Sequence, residues 1–209
     1  MKHQFILIFL LVTLSNENLR NLSFNYNCEK VWQLKKVTFL GLTIIFEEKV
    51  GVKAGKAFNQ IVMKSDSGSV SYGYTGISTP ISKTISQSLT TLKFTIPPLP
   101  NAQMALKGLG TIKYAIKESS GKLLLNLSGS IYAKAEVLKT GSEIANMSAS
   151  AKGTIMNINR SYTISSNGNI VRSGTIAGGK ITYHVEGKFT TAQQFNYDFD
   201  IFNSWSISA

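Results

Sequence analysis

Cysteine occurs once in the 209 residues, histidine twice and proline four times. A single thiol closes no disulfide within the chain, so the fold is not a small cross-linked scaffold and must rest on its own core. One imidazole is His3, inside the leader described below, which leaves His184 alone to serve a Ser-His-Asp or Cys-His mechanism. No G-x-S-x-G elbow is present, and Ser119-x-x-Lys122 falls in a turn, away from any helix start. Charged residues are scarce, 16% against 43% hydrophobic, which excludes a disordered chain, a coiled coil and a collagen-like fibre. Beyond the first 14 residues no uncharged stretch reaches the roughly 20 residues of a membrane-spanning helix.

What is there begins with a basic opening, Met1-Lys-His3, and an apolar run from Phe5 to Leu14 that ends at Ser15 and Asn16. This almost unbroken ten-residue run, with small residues at Thr13 and Ser15, predicts a secretory signal peptide over 1–15, cleaved after Ser15. Residues 16–209 then form a single exported all-β domain. In an oxidising compartment Cys28 is either buried and inert or linked to a second copy as a homodimer. Four glycan acceptor triplets start at Asn21, Asn126, Asn146 and Asn159, as secretion permits.

The hydrophobic period is two. Leu123, Leu125, Leu127, Gly129, Ile131, Ala133, Ala135 and Val137 share one parity, against Lys122, Asn126, Ser128, Ser130, Lys134 and Glu136 on the other. Such alternation is a half-buried antiparallel strand. It recurs through Ala145–Ile155, Ile181–Phe189 and Phe195–Ile201. Hairpin turns are expected at Ser119–Lys122, Thr140–Ser142, Ser166–Asn169 and Ala177–Lys180, each with the Gly or Asn that positive φ favours. Gly110, Gly129, Gly153 and Gly174 each open a Gly-Thr/Ser-Ile repeat at irregular spacing, which favours a meander over a β-solenoid.

The first half reads as a strand or bent pair over Val37–Val52 with Gly41 as a bulge, then a strand over Ser69–Tyr74. Thr79-Pro80 followed by Ile81, Ile85, Leu89 and Leu92 predicts one short helix. The Ile96–Pro100 segment is the one candidate boundary between two sheets or subdomains. The fold class is therefore all-β: a long-stranded antiparallel meander of about ten strands forming a barrel or sandwich, with at most one short helix.

Several strands are about 12 to 16 residues long, where about 5 or 6 is common, and their apolar face is rich in Gly and Ala. Small inward residues leave room for a ligand, or else admit bulky rings from a facing sheet. On the first alternative the protein is a secreted, non-catalytic binder of an apolar or amphipathic small molecule. Strand parity then makes the lining Leu125, Leu127, Ala133, Ala135, Met147, Ala149, Tyr183, Val185, Tyr197 and Phe199. The net charge of +11 is dispersed, which suits an anionic membrane surface or acidic glycan. No nucleic-acid motif interleaves the lysines with aromatics, and no cofactor motif is present.

A metal site is the second chemical candidate: pairing about Ala192 sets His184 opposite Asp200 and Glu186 opposite Asp198. The alternative to a ligand carrier is a structural protein of an extracellular matrix, coat or secretory granule, joined through strand edges and Cys28. A hydrolase using acidic residues such as Glu47, Glu48, Asp198 and Asp200 comes third.

Overall fold

The computed structural model describes residues 27–66 and 68–209, with the side chains of residues 87–91 and 100 left aside. The leader over 1–15 and the triplet at Asn21 lie outside the described residues. Twelve strands are present among them: β1 (Cys28–Phe39), β2 (Leu42–Lys53), β3 (Lys56–Ser65), β4 (Gly68–Ile77), β5 (Ile81–Ile96), β6 (Leu99–Ser119), β7 (Lys122–Lys139), β8 (Ile144–Ile164), β9 (Ile170–Gly178), β10 (Ile181–Phe189), β11 (Gln194–Phe202) and β12 (Trp205–Ser208). All pairings are antiparallel.

The strands make two layers rather than a closed barrel. A four-stranded sheet runs β1-β2-β3-β4, and a large sheet runs β11-β10-β8-β7-β6-β5, with β9 on β8 and β12 on β9. Their apolar faces meet, Ile44, Phe46, Val50, Ile61 and Met63 from the small sheet against Leu106, Ile112, Leu125, Leu127, Ile158 and Ile176 from the large one.

Four local expectations change. Residues 81–96 are strand β5, without the short helix. Ile81, Ile85 and Leu89 are four apart, a spacing that suits period two as well as 3.6, and Thr, Ser and Ile tip the balance towards strand. Leu92 breaks that parity where a bulge separates Thr90 from Leu92. The Pro97-Pro98 turn joins β5 to β6 inside one sheet, and the change of sheet falls instead at 78–80. Leu40 and Gly41, at φ of 46° and 82°, form the β1–β2 hairpin turn in place of a bulge.

Ala177–Lys180, finally, is no hairpin. Asn157 pairs with Ala177 and Gly153 with Ile181, so β9 and β10 lie in line along one edge of β8. In the same way β11 and β12 follow each other along that composite strand, through Ile181–Phe202 and Gly178–Trp205.

The Gly-Thr/Ser-Ile repeat acquires a physical reason from this layout. A Cβ on Gly129 would lie 2.2 Å from the Thr111 carbonyl oxygen, and one on Gly153 would lie 2.2 Å from that of Lys180. Glycine at these points lets neighbouring backbones close in where the long strands bend.

The β7–β8 hairpin is paired from Leu123–Ile164 to Tyr132–Thr154 and then forks. Past the fork β7 stays with β6, while Ile144–Gly153 of β8 pairs with β10. Tyr183 ties the two arms together. Its hydroxyl lies 3.2 Å from the Ala105 carbonyl oxygen and 3.3 Å from that of Glu136, which share its one proton.

Candidate functional site

The space between the layers is filled by rings. Phe46 meets Phe202 and Trp205 with centroids 5.8 and 5.5 Å apart, Phe94 meets Tyr183 at 5.1 Å, and Tyr74 meets Tyr114 at 4.6 Å. Small residues seat some of these groups, since a Cβ on Gly108 would lie 2.1 Å from the Tyr72 hydroxyl. Of the ten expected lining residues, Leu125, Leu127, Tyr183 and Val185 are buried in this packed core. Ala133, Ala135, Met147, Ala149, Tyr197 and Phe199 are only partly covered.

These partly covered residues lead to an aromatic ladder at one end of the large sheet. Phe189 contacts Phe195 at 4.9 Å, Phe195 stacks on Tyr197 at 5.9 Å, and Tyr197 meets Phe199 at 6.2 Å. Strand parity makes this possible, because Phe195, Tyr197 and Phe199 all face one side of β11, the outermost strand of that path. The continuation at Ile201 and Phe202 is buried, and Phe202 lies against Phe46 of the small sheet. The ladder thus runs from beneath the small sheet to a half-covered margin.

The opposite face of the same strands is polar. His184 pairs with Asp198, not with Asp200 as expected, and Glu186 pairs with Asn196. The hairpin turn over Phe189–Gln193 is centred on Thr191 and not on Ala192, which moves the partner of His184 two residues from the expected one. His184 Nδ1 is 2.9 Å from Asp198, and Nε2 is 3.6 Å from Glu186. The hydrogen bond to Asp198 is the main cause of a His184 pKa raised above 6.5. Asp200 has gone elsewhere, 2.8 Å from Lys180 and 3.1 Å from Thr182 Oγ1, and its pKa is lowered chiefly by Lys180. Among the described residues no group of three or more His, Cys, Asp or Glu side chains is arranged to hold a metal ion.

Two open troughs also mark this outer face, both between rows of polar side chains. One, of about 570 Å³, has Asn146, Ser148, Glu186, Lys188, Gln194 and Asn196 around the Met147-Gly187-Phe195 row. The other, of about 340 Å³, is bordered by Ser128, Ser130, Asn157, Asn159 and Thr175.

A buried ionic cluster escaped the sequence reading. Glu48 of β2 is fully buried, accepts hydrogen bonds from Tyr162 at 2.5 Å and Arg172 at 2.7 Å, and lies 3.2 Å from Arg160 Nε. Arg160 also donates to the carbonyls of Gly174 and Ile207, and Arg172 covers the Trp32 ring at 4.6 Å. Burial, reinforced by Glu48, pushes the Tyr162 hydroxyl far above its ordinary pKa. The readable signal was parity: Glu48 sits among Ile44, Phe46, Val50 and Val52 on the inward side, as Arg160 does among Ile158, Tyr162 and Ile164. Every polar atom of such a group needs a partner, so its geometry serves the joint between sheets rather than an accessible reaction.

Cys28 is half-buried, and burial raises the pKa of its thiol. Comparison of the chain with protein-family models, with curated proteins and with solved structures finds no match in any of the three.

Proposed function

We propose that this is an exported, non-catalytic binding protein for an apolar or amphipathic ligand, taken up at the margin of the sandwich rather than in an enclosed cavity. The observation that carries this reading is the ladder Phe189, Phe195, Tyr197 and Phe199, in which the half-covered rings of Phe189, Tyr197 and Phe199 are joined through buried Phe195 at the margin of the apolar face. Half-covered rings in a row leave apolar surface that an apolar partner would bury. Met147 and Ala149 extend the apolar strip across β8. The chain-wide positive charge draws an amphipathic anion, or an anionic membrane surface or acidic glycan, by long-range attraction. Export through the 1–15 leader and the status of a glycoprotein belong to the same reading.

Titration with a fluorescent long-chain fatty acid tests it. Saturable binding at one site per chain is expected, weakened about tenfold or more, roughly 1.4 kcal/mol, by Tyr197→Ser with Phe199→Ser. Non-saturating uptake, or binding untouched by that pair, would sink the ladder as the seat.

A second reading, a structural protein of a matrix, coat or secretory granule, draws on the open outer edges of β5 and β11. Sedimentation of ligand-free protein at rising concentration separates the two, since lateral assembly produces polymers and a carrier does not.

A further inference from the structure

We propose that Asn126, Asn146 and Asn159 are N-glycan attachment sites and that their glycans clothe the outer face of the large sheet. This rests on the export reading above. Each asparagine opens an Asn-x-Ser triplet, completed by Ser128, Ser148 and Ser161. In a strand, residues i and i+2 project to the same side, so each acceptor amide leaves the sheet together with its serine hydroxyl. The middle residues Leu127 and Arg160 turn inward and are buried. All three asparagines are exposed, on the side away from the four-stranded sheet.

Asn126 lies opposite Ser161, and Ser128 lies opposite Asn159. The triplets of β7 and β8 therefore run side by side in opposite directions, with their acceptors on one diagonal at about 7–8 Å. Across the described four-stranded sheet no Asn-x-Ser/Thr triplet occurs, so the modification would be one-sided.

The co-reactant is a polyprenyl-diphosphate-linked oligosaccharide. The asparagine amide nitrogen bonds to the anomeric carbon, the bond from that carbon to the diphosphate oxygen breaks, and the lipid diphosphate leaves with the electron pair. The amide gives up one proton and nothing is oxidised or reduced. Because β7 and β8 hold these positions in paired ladders, transfer takes place on the extended chain before the two strands pair. Glycans there cover the trough bordered by Ser128 and Asn159, and one on Asn146 covers the larger trough. The half-covered ladder on the other side stays open.

The test is site-resolved mass spectrometry of the full chain secreted from a eukaryotic host, after peptide-N-glycosidase release in heavy-oxygen water. The chain is made once with its own leader and once with an established secretory leader added in front. Labelled aspartate at positions 126, 146 and 159 in most secreted molecules is the expected result. Secreted protein with unmodified asparagines at 126 and 159 would overturn the inference, whichever leader delivered it. If only the added leader gives secreted, glycosylated protein, the attachment sites stand and the export reading falls.

Discussion

Glu48 and Tyr162, 114 positions apart in the chain, meet across the two sheets in a 2.5 Å hydrogen bond shielded from solvent. The carboxylate also meets Arg160 and Arg172, so one acidic residue of the small sheet holds two strands of the large one. A buried ion pair adds a directional requirement to the hydrophobic packing between sheets, because either charge is costly once moved away from its partner.

Glu48→Gln keeps the shape and removes the charge, leaving the buried guanidinium of Arg160 without its counter-ion. A loss of about 3 kcal/mol or more is expected, read as a lower urea midpoint with an unchanged slope. Tyr162→Phe removes one donor to the same carboxylate and should cost less, about 1–3 kcal/mol. Equal stability of Glu48→Gln and the parent chain would show that the cluster holds nothing together.

Tyr183→Phe removes the hydroxyl that bridges the arms of the fork. About 1 kcal/mol should be lost, with faster amide hydrogen exchange in 133–139, the stretch of β7 that β8 leaves unpaired. Burial pushes the Tyr183 pKa up to about 12, with the Glu136 carbonyl hydrogen bond drawing it down. A raised folded value means the neutral form is favoured in the fold. Its contribution is complete below the unfolded value of about 10 and is lost as pH climbs through about 12. A late-ionising tyrosine class in spectrophotometric titration, smaller by one residue in Tyr183→Phe, checks this.

His184 should titrate above 6.5 in the folded chain, because Asp198 and then Glu186 favour its protonated form. The stabilising effect is fully present below 6.5 and fades as pH rises through the raised folded value. Asp198→Asn should bring the NMR titration midpoint of the ring back towards 6.5. An unmoved midpoint would assign the shift to another source.

Gly129→Ala places a Cβ 2.2 Å from the Thr111 carbonyl oxygen at a φ of 152°. The strands must separate or the bend must relax, with an expected cost of about 1–3 kcal/mol. A thermal unfolding midpoint as high as that of the parent would mean the bend does not depend on this close approach.

Much of this architecture was already readable in the alternation of residues. The inward parity of Leu123, Leu125, Leu127 and Ile131 is met by buried side chains at each position, and Ser120-Gly121 makes the tight turn its residue types announce, at φ of 51° and 71°. The β5 segment was misread because a spacing of four serves both periods. The His184 partner differs from the expected one because the turn that sets the register is centred on Thr191, one position before Ala192. Glu48 enters the sequence reading only as one of four acidic candidates for a hydrolase, although its parity already points inward.

Taken alone, the order of residues determined which segments extend, which side of each is apolar and where Gly and Asn let the chain reverse. Those properties are local, set by neighbours one or two positions away. Only the tertiary structure decided that the meander splits into two layers, that β9 and β10 share one edge of β8, and that rings from both layers fill the space that small residues leave. Glu48, Arg160 and Arg172 come together for the same reason. Their meeting depends on how twisted sheets stack, a relation between residues more than a hundred positions apart that no short stretch of chain encodes.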